Sequence, residues 1–342
     1  MKPRERVLRT FRFEATDRVP FDLMEGNVWP ELQDHFRRRH GLETSEEVQD
    51  FLGTDFRWVG YNYQGPAEEP VQDEGAAANH EVYSLQVAVG PLAEAETIAE
   101  VEAWDWPDPA LWQPGDVGAA RRRWPDHALV FGAFWMPLFW GACEAFGMEP
   151  ALTKMYTQPA VVEAFIRRRH AFYMDVLARG LSAAAALCDV CWLGDDYASQ
   201  QAMIVSPELW RKFIKPYLAE QVALARRHGM HVLFHSCGAV REILPDLIDI
   251  GVSALLVFQT TAAGMDALSI ARDFGGKLAF YGGIDIQRLL SFGTPEEVAA
   301  TVRGNVAAFS KCGGYIVANS HCDVKTIRGE NIEAMCAATQ GE

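Results

Sequence analysis

Through the C-terminal half of the chain, short apolar runs alternate with amphipathic segments. The runs are CDVCWLGDD (188–196), HVLFHSCG (231–238), ALLVFQT (254–260), KLAFYGGID (277–285) and GYIVANSHC (314–322). Each is almost continuously apolar, as strands covered on both faces are. Helical patterns lie between them. SPELWRKFIKPYLAEQVALARRHG predicts a helix capped by Ser206, with Pro207 at its first position and a stop at Gly229. TPEEVAATVRGNVAAFSKCGG repeats the design, and its Thr294-x-x-Glu297 spacing is that of a capping box.

Strands alternating with helices imply parallel βαβ units. The N-terminal half supplies three further candidate strands: VPFDLM (19–24), FRWVGY (56–61) and ALVFGAF (128–134). Eight strands close a (β/α)8 barrel, and the expectation is a single barrel domain over residues 1–342 with an N-terminal helical extension. A doubly wound open sheet is the alternative. Neither G-x-G-x-x-G after a strand nor a Walker A sequence occurs, so dinucleotide and P-loop binding have no support. Residues 62–127 break the alternation. They are acidic and rich in Pro, Trp and Gly, which predicts an inserted cover over one end of the barrel.

Composition narrows the function. The chain has 342 residues, with 31 Lys plus Arg against 46 Asp plus Glu, a formal net charge of −15. Wrapping of nucleic acid needs clustered cations and is not expected. The longest apolar run, Ala128 to Cys143, is shorter than the ~20 residues of a spanning helix and is broken by Gly132, Pro137 and Gly141, so no membrane span is expected. The first twenty residues lack an apolar signal core, and the seven cysteines are an odd count. Reduced thiols in a cytoplasmic protein are the expectation.

In an α/β barrel the chemistry sits at the C-terminal ends of the strands. Here those ends carry Asp195 and Asp196, His235 and Cys237, Gln259, Tyr281 and Asp285, and His321 and Cys322. His235 and Cys237 are two apart on a strand, so both point the same way. Cys322 ends a later strand and can complete the set across the mouth. One His and two Cys form a soft donor set that suits Zn²⁺, and three protein ligands leave a position for water or a substrate thiol. Zinc holds a bound thiol as thiolate, the nucleophilic form.

Other residues have plainer readings. Cys188 and Cys191 are three apart, which places them on opposite faces of a strand and argues against a redox pair. Cys143, Cys312 and Cys336 read as packing thiols. Arg121–Arg123 and Arg167–Arg169 read as solvated faces, and His228 and His231 fall at the far end of the barrel. Asp195 and Asp196 read either as general acids or as caps of the next helix. His321 is a fourth ligand, a substrate contact or a packed neighbour.

Ordered blocks through the chain carry a family likeness: RERVLRTFRFEATDRVP, GDDYASQQAMIVSPELWRKFIKP, FHSCGAVREILPDLIDIGVSALLVFQ, GMD (264–266), FYGGID and HCDVKTIRGENIEAM. The sequence resembles the uroporphyrinogen decarboxylase superfamily, in its zinc- and corrinoid-dependent methyltransferase branch. The resemblance implies a (β/α)8 barrel and a zinc site at His235, Cys237 and Cys322. It implies a methyl group moved between a small substrate, a thiol or a methyl ether, and a corrinoid. Asp195, Asp196 and Tyr281 are then the candidate acids, and Gln259, Asp285 and His321 the candidate substrate contacts. Trp29, Trp58, Tyr61, Trp135 and Trp140 are candidate aromatics of the mouth.

Two departures refine this. Thiol-methylating members set the last cysteine in Pro-Gly-Cys, whereas here it is Ser320-His321-Cys322, which leaves room for an O-demethylase component. No His has an Asp two places before it, so the D-x-H-x-x-G corrinoid signature is missing and a separate corrinoid protein is the expected partner. The true decarboxylases use an Arg-rich N-terminal loop, and FDLMEGNVWPELQ contains no Arg. The alternatives are a metal-free decarboxylase or lyase, a zinc methyltransferase using folate, and a non-enzymatic corrinoid-binding barrel. The resemblance also implies a homodimer.

Overall fold

The computed structural model describes residues 1–65, 90–132, 135, 137–321 and 325–341. Nine strands occur among the described residues: β1 (Phe56–Val59), β2 (Tyr61–Tyr63), β3 (Trp112–Pro114), β4 (Ala128–Phe131), β5 (Val190–Gly194), β6 (His231–His235), β7 (Ala254–Phe258), β8 (Ala279–Ile284) and β9 (Tyr315–Asn319). Seven of them form one parallel sheet in the order β1-β4-β5-β6-β7-β8-β9. Both of its edges bond to the segment around Phe21. Asp22 N–H donates to Val317 O at 3.0 Å, Val317 N–H to Pro20 O at 2.9 Å, and Asp55 N–H to Phe21 O at 2.8 Å. The curled sheet thus closes on itself through a short eighth stave, and the fold is the predicted TIM-type barrel.

That stave is shorter than the predicted strand over 19–24. It makes one bridge, Phe21 to Val317. Pro20 has no N–H to give the ladder, and at Met24–Gly26 the chain turns into a 3-10 helix. The helix predicted over 206–229 is also broken. It runs as Pro207–Phe213 and Lys215–Arg227, because Pro216 cannot donate back to the preceding turn. The Thr294–Glu297 capping box forms as predicted.

Alternation along the strands sorts their side chains into two cores. Val130, Val190, Trp192, Leu233, Leu256, Tyr281, Ile316 and Ala318 fill the barrel interior. Leu129, Phe131, Cys191, Leu193, Val232, Phe234, Leu255, Phe280 and Val317 face outward against the helices. The N-terminal helix Pro3–Phe11 contributes Val7 and Phe11 to the interior cluster, so it plugs the bottom of the barrel. The Phe11 ring packs at a tilt against His231 at the start of β6, 4.8 Å between ring centroids.

Two arginine runs are not simply solvated. Arg121 donates to Leu187 O and Asp189 at 2.8 Å each. Arg169 donates to Pro137 O at 2.7 Å and lies over the Tyr173 ring. Both guanidiniums find carbonyl or carboxylate partners between elements, which a linear reading of the charge runs does not reveal. Of the predicted cover over 62–127, residues 66–89 lie outside the described residues. In the rest, β2, which starts at Tyr61, pairs antiparallel with β3, and short helices span Ile98–Glu102 and Val117–Arg123. Among the described residues no helix is long and apolar enough to cross a membrane.

Candidate metal centre

β6 ends at His235, and the chain leaves the sheet through Ser236 and Cys237 to Gly238. Gly238 has φ +82°, and a Cβ there would lie 2.4 Å from Ser199 O. Only glycine lets this loop pass so close to the 198–199 backbone. The result is a 3.6 Å approach between Cys237 Sγ and His235 Nε2. His321, just beyond β9, completes a group whose ligand atoms all lie within 4.8 Å of one another. His235 is almost fully buried, and its ring meets Trp135 and Trp192 edge-on at 5.4 and 5.8 Å.

Carboxylates surround this group. Glu25 Oε1 lies 3.1 Å from His235 Nδ1. Asp196 Oδ1 accepts the Cys237 N–H at 2.7 Å and lies 3.9 Å from His235 Nε2. Burial alone lowers the basicity of His235. The Glu25 hydrogen bond and the Asp196 charge outweigh it, and the net shift is upward. Imidazole nitrogen and thiol sulfur, brought together beside acids, are donors that suit Zn²⁺. Cys322, the third predicted ligand, lies outside the described residues.

The other predicted site residues are placed as follows. Gln259 accepts from Gly238 N–H at 2.8 Å and from Gln200 at 2.5 Å, so it props the Cys237 loop. Tyr281 is buried inside the barrel and donates to Asp22 Oδ2 at 2.8 Å. Burial and the Asp22 charge push its phenol well up, so it stays protonated. Asp195 accepts from the backbone amides of Leu138, Phe139 and Trp140 at 2.8, 2.7 and 3.0 Å, which caps the helix Phe139–Phe146. Asp285 similarly collects the amides of Gln287, Arg288 and Leu289. It lines a separate cavity of about 540 Å³ with Thr260, Arg288 and Phe292.

The structure brings together His235, Cys237, His321 and Asp196, and does not bring Asp195 or Asp285 to them. Of the five candidate mouth aromatics, Trp58 and Trp135 pack with the interior cluster, whereas Trp29, Tyr61 and Trp140 belong to the outer core. Burial raises the thiols of Cys188 and Cys191 to about 12, and no disulfide joins them. Two interior acids escaped the sequence reading. Asp22 is fully buried, holds Trp58 Nε1–H at 3.1 Å as well as Tyr281, and is pushed up to about 7 by burial. Glu25 is the other. Asp22 lies within the first predicted strand and Glu25 directly after it, so reading polar residues from 19–24 onward, rather than from 188, finds them.

Fold and site together define a TIM-type barrel with a part-buried His/Cys/His cluster at its mouth. Residues 117–341 match the family described as uroporphyrinogen decarboxylase (URO-D), and the chain belongs to that family. No curated protein matches the chain. Among solved structures, a methyltransferase from Methanosarcina mazei superposes with a TM-score of 0.68 at 16% identity, over 100% of this chain and 99% of the other. A D-psicose 3-epimerase from Clostridium cellulolyticum H10 gives a TM-score of 0.39 at 11% identity, over 86% and 89% of the two chains.

Proposed function

We propose that the protein is a zinc-dependent methyltransferase that moves a methyl group between a small substrate, a methyl ether or a thiol, and a corrinoid held by a separate protein. The observation that carries this reading is the convergence of His235, Cys237 and His321 on one point at the C-terminal face of the barrel. Cys322 adjoins that point in sequence, and we assign it as a further ligand.

Bound there, zinc would supply Lewis acidity to the oxygen or sulfur that loses or gains the methyl. The chain's own residues do the rest. Asp196 fixes the Cys237 backbone through its amide, and Gln259 fixes Gly238 next to it. Trp135 and Trp192 wall the His235 ring and keep water from its faces. Asp196 is also the acid nearest His235 Nε2, so it is the group we assign to manage the proton of the departing oxygen.

Zinc per chain, measured by elemental analysis with the Cys237→Ser variant alongside, tests the assignment. About one zinc that disappears in the variant is expected. No zinc in the wild-type chain, even after reconstitution, overturns the reading and leaves the metal-free lyase in its place.

A further inference from the structure

Glu25 has a left-handed backbone, φ 56° and ψ 25°, inside the 3-10 turn Met24–Gly26. A non-glycine residue adopts this region rarely and at a cost, and such strain concentrates where a side chain must be aimed. Gly26 follows at φ +67°, and a Cβ there would lie 2.5 Å from the Trp58 ring. The turn is therefore pressed against Trp58, whose indole N–H is held by Asp22. Met24 N–H is fixed in turn by Asn319 Oδ1 at 2.8 Å, from the end of β9. The strained turn is clamped from both sides, and what it aims is the Glu25 carboxylate, at His235 Nδ1.

An imidazole that donates Nδ1–H to a carboxylate has its lone pair on Nε2. In this structure Nε2 is the nitrogen facing Cys237 Sγ. Ligating histidines commonly have their second nitrogen held in this way, which fixes tautomer and ring orientation. Asp196 cannot substitute for Glu25, because it sits on the Nε2 side.

We propose that Glu25 is the positioning residue of the metal centre: its carboxylate holds His235 in the Nδ1–H tautomer and aims Nε2 at the shared ligand point. This inference rests on the metal reading above, but its first test does not need the metal.

The protein has nine histidines, few enough for nitrogen-15 histidine labelling, with His235→Gln used to assign the signal. In the metal-free wild-type protein at mildly alkaline pH, His235 should show the Nδ1–H tautomer. In Glu25→Gly it should revert to the Nε2–H form that free imidazole prefers. Glycine suits the left-handed backbone, so the metal-free variant should melt no lower than wild type. Its zinc affinity, measured by chelator competition, should fall about 10- to 100-fold. Glu25→Gln keeps an acceptor oxygen and should lose less.

A wild-type Nε2–H tautomer, or zinc affinity unchanged in Glu25→Gly, overturns the proposal. Loss of zinc with a matching loss of melting temperature assigns Glu25 a merely structural role and also overturns it. If wild type binds no zinc, the metal reading fails on its own, and the tautomer measurement still decides what Glu25 does.

Discussion

Asp195 and Asp196 are neighbours in the chain, yet their carboxylates serve different loops. Asp195 gathers three backbone amides at the start of the helix Phe139–Phe146, and Asp196 takes the amide of Cys237. Successive residues at a strand end project to opposite sides. One carboxylate therefore orders the segment that follows β4, and the other orders the segment that follows β6. A helix start has free N–H groups and a positive dipole end, so a buried acid is well placed there. Only Asp196 remains near the His235 cluster.

Replacing Asp195 by Ala should therefore act on stability. The three amides lose their acceptor in a buried setting, and the loss should be about 2–3 kcal/mol. Urea unfolding of Asp195→Ala against wild type measures it. Zinc content should be retained. A variant as stable as wild type that loses zinc would instead place Asp195 in the metal site.

Gly238 makes a sharper prediction. Its φ of +82° and the 2.4 Å clash that a Cβ would make with Ser199 O leave alanine no room. Gly238→Ala must shift the loop carrying Cys237, which is held by Asp196 and Gln259. The expected result is a loss of at least about 1–2 kcal/mol in stability together with weakened zinc retention. Unchanged zinc affinity would mean that the Cys237 position tolerates movement of its own loop.

Much of this arrangement is legible in the sequence. Period and capping residues place the strands and several helices, because strands buried on both faces must be apolar throughout. His235 and Cys237 are readable as a pair from their spacing and their place at a strand end, although β6 stops at His235 and it is the Gly238 loop, not strand alternation, that turns Cys237 toward it. What stays hidden is which way a polar side chain is spent. Asp195, Asp285 and Gln259 look like Asp196 along the chain, but backbone amides claim them, from other segments at Asp195 and Gln259 and from its own following turn at Asp285. Glu25 is hidden for a different reason. It lies 210 residues from His235 in sequence, and only barrel closure through the Phe21 stave brings the two together.

His321 stands among three readings on sequence, and its ring lies 5.9 Å from that of His235. If it ligates the metal, His321→Ala should weaken zinc binding by at least about tenfold, with the fold intact by circular dichroism. Cobalt substitution gives a second readout, since the visible spectrum reports the donor set. An unaltered cobalt spectrum in His321→Ala would return His321 to the role of substrate contact or packed neighbour.

Asp22 predicts a pH dependence whose sign can be worked out. Its carboxyl is fully buried, and burial raises it from 3.8 to about 7 in the folded protein, despite hydrogen bonds from Trp58 and Tyr281. The folded state therefore holds a proton that the unfolded chain releases near pH 4. Below that pH the contribution of Asp22 to stability is fully present, and it is lost as pH rises toward 7. Asp22→Asn removes the titration while keeping the shape. Relative to wild type, the variant should gain stability between about pH 4 and pH 7, by an amount on the order of a few kcal/mol. Urea unfolding of both proteins across that range checks this. A difference that stays flat with pH would show that Asp22 is ionised in the folded barrel, its charge carried by Tyr281, Trp58 and the nearby Arg57.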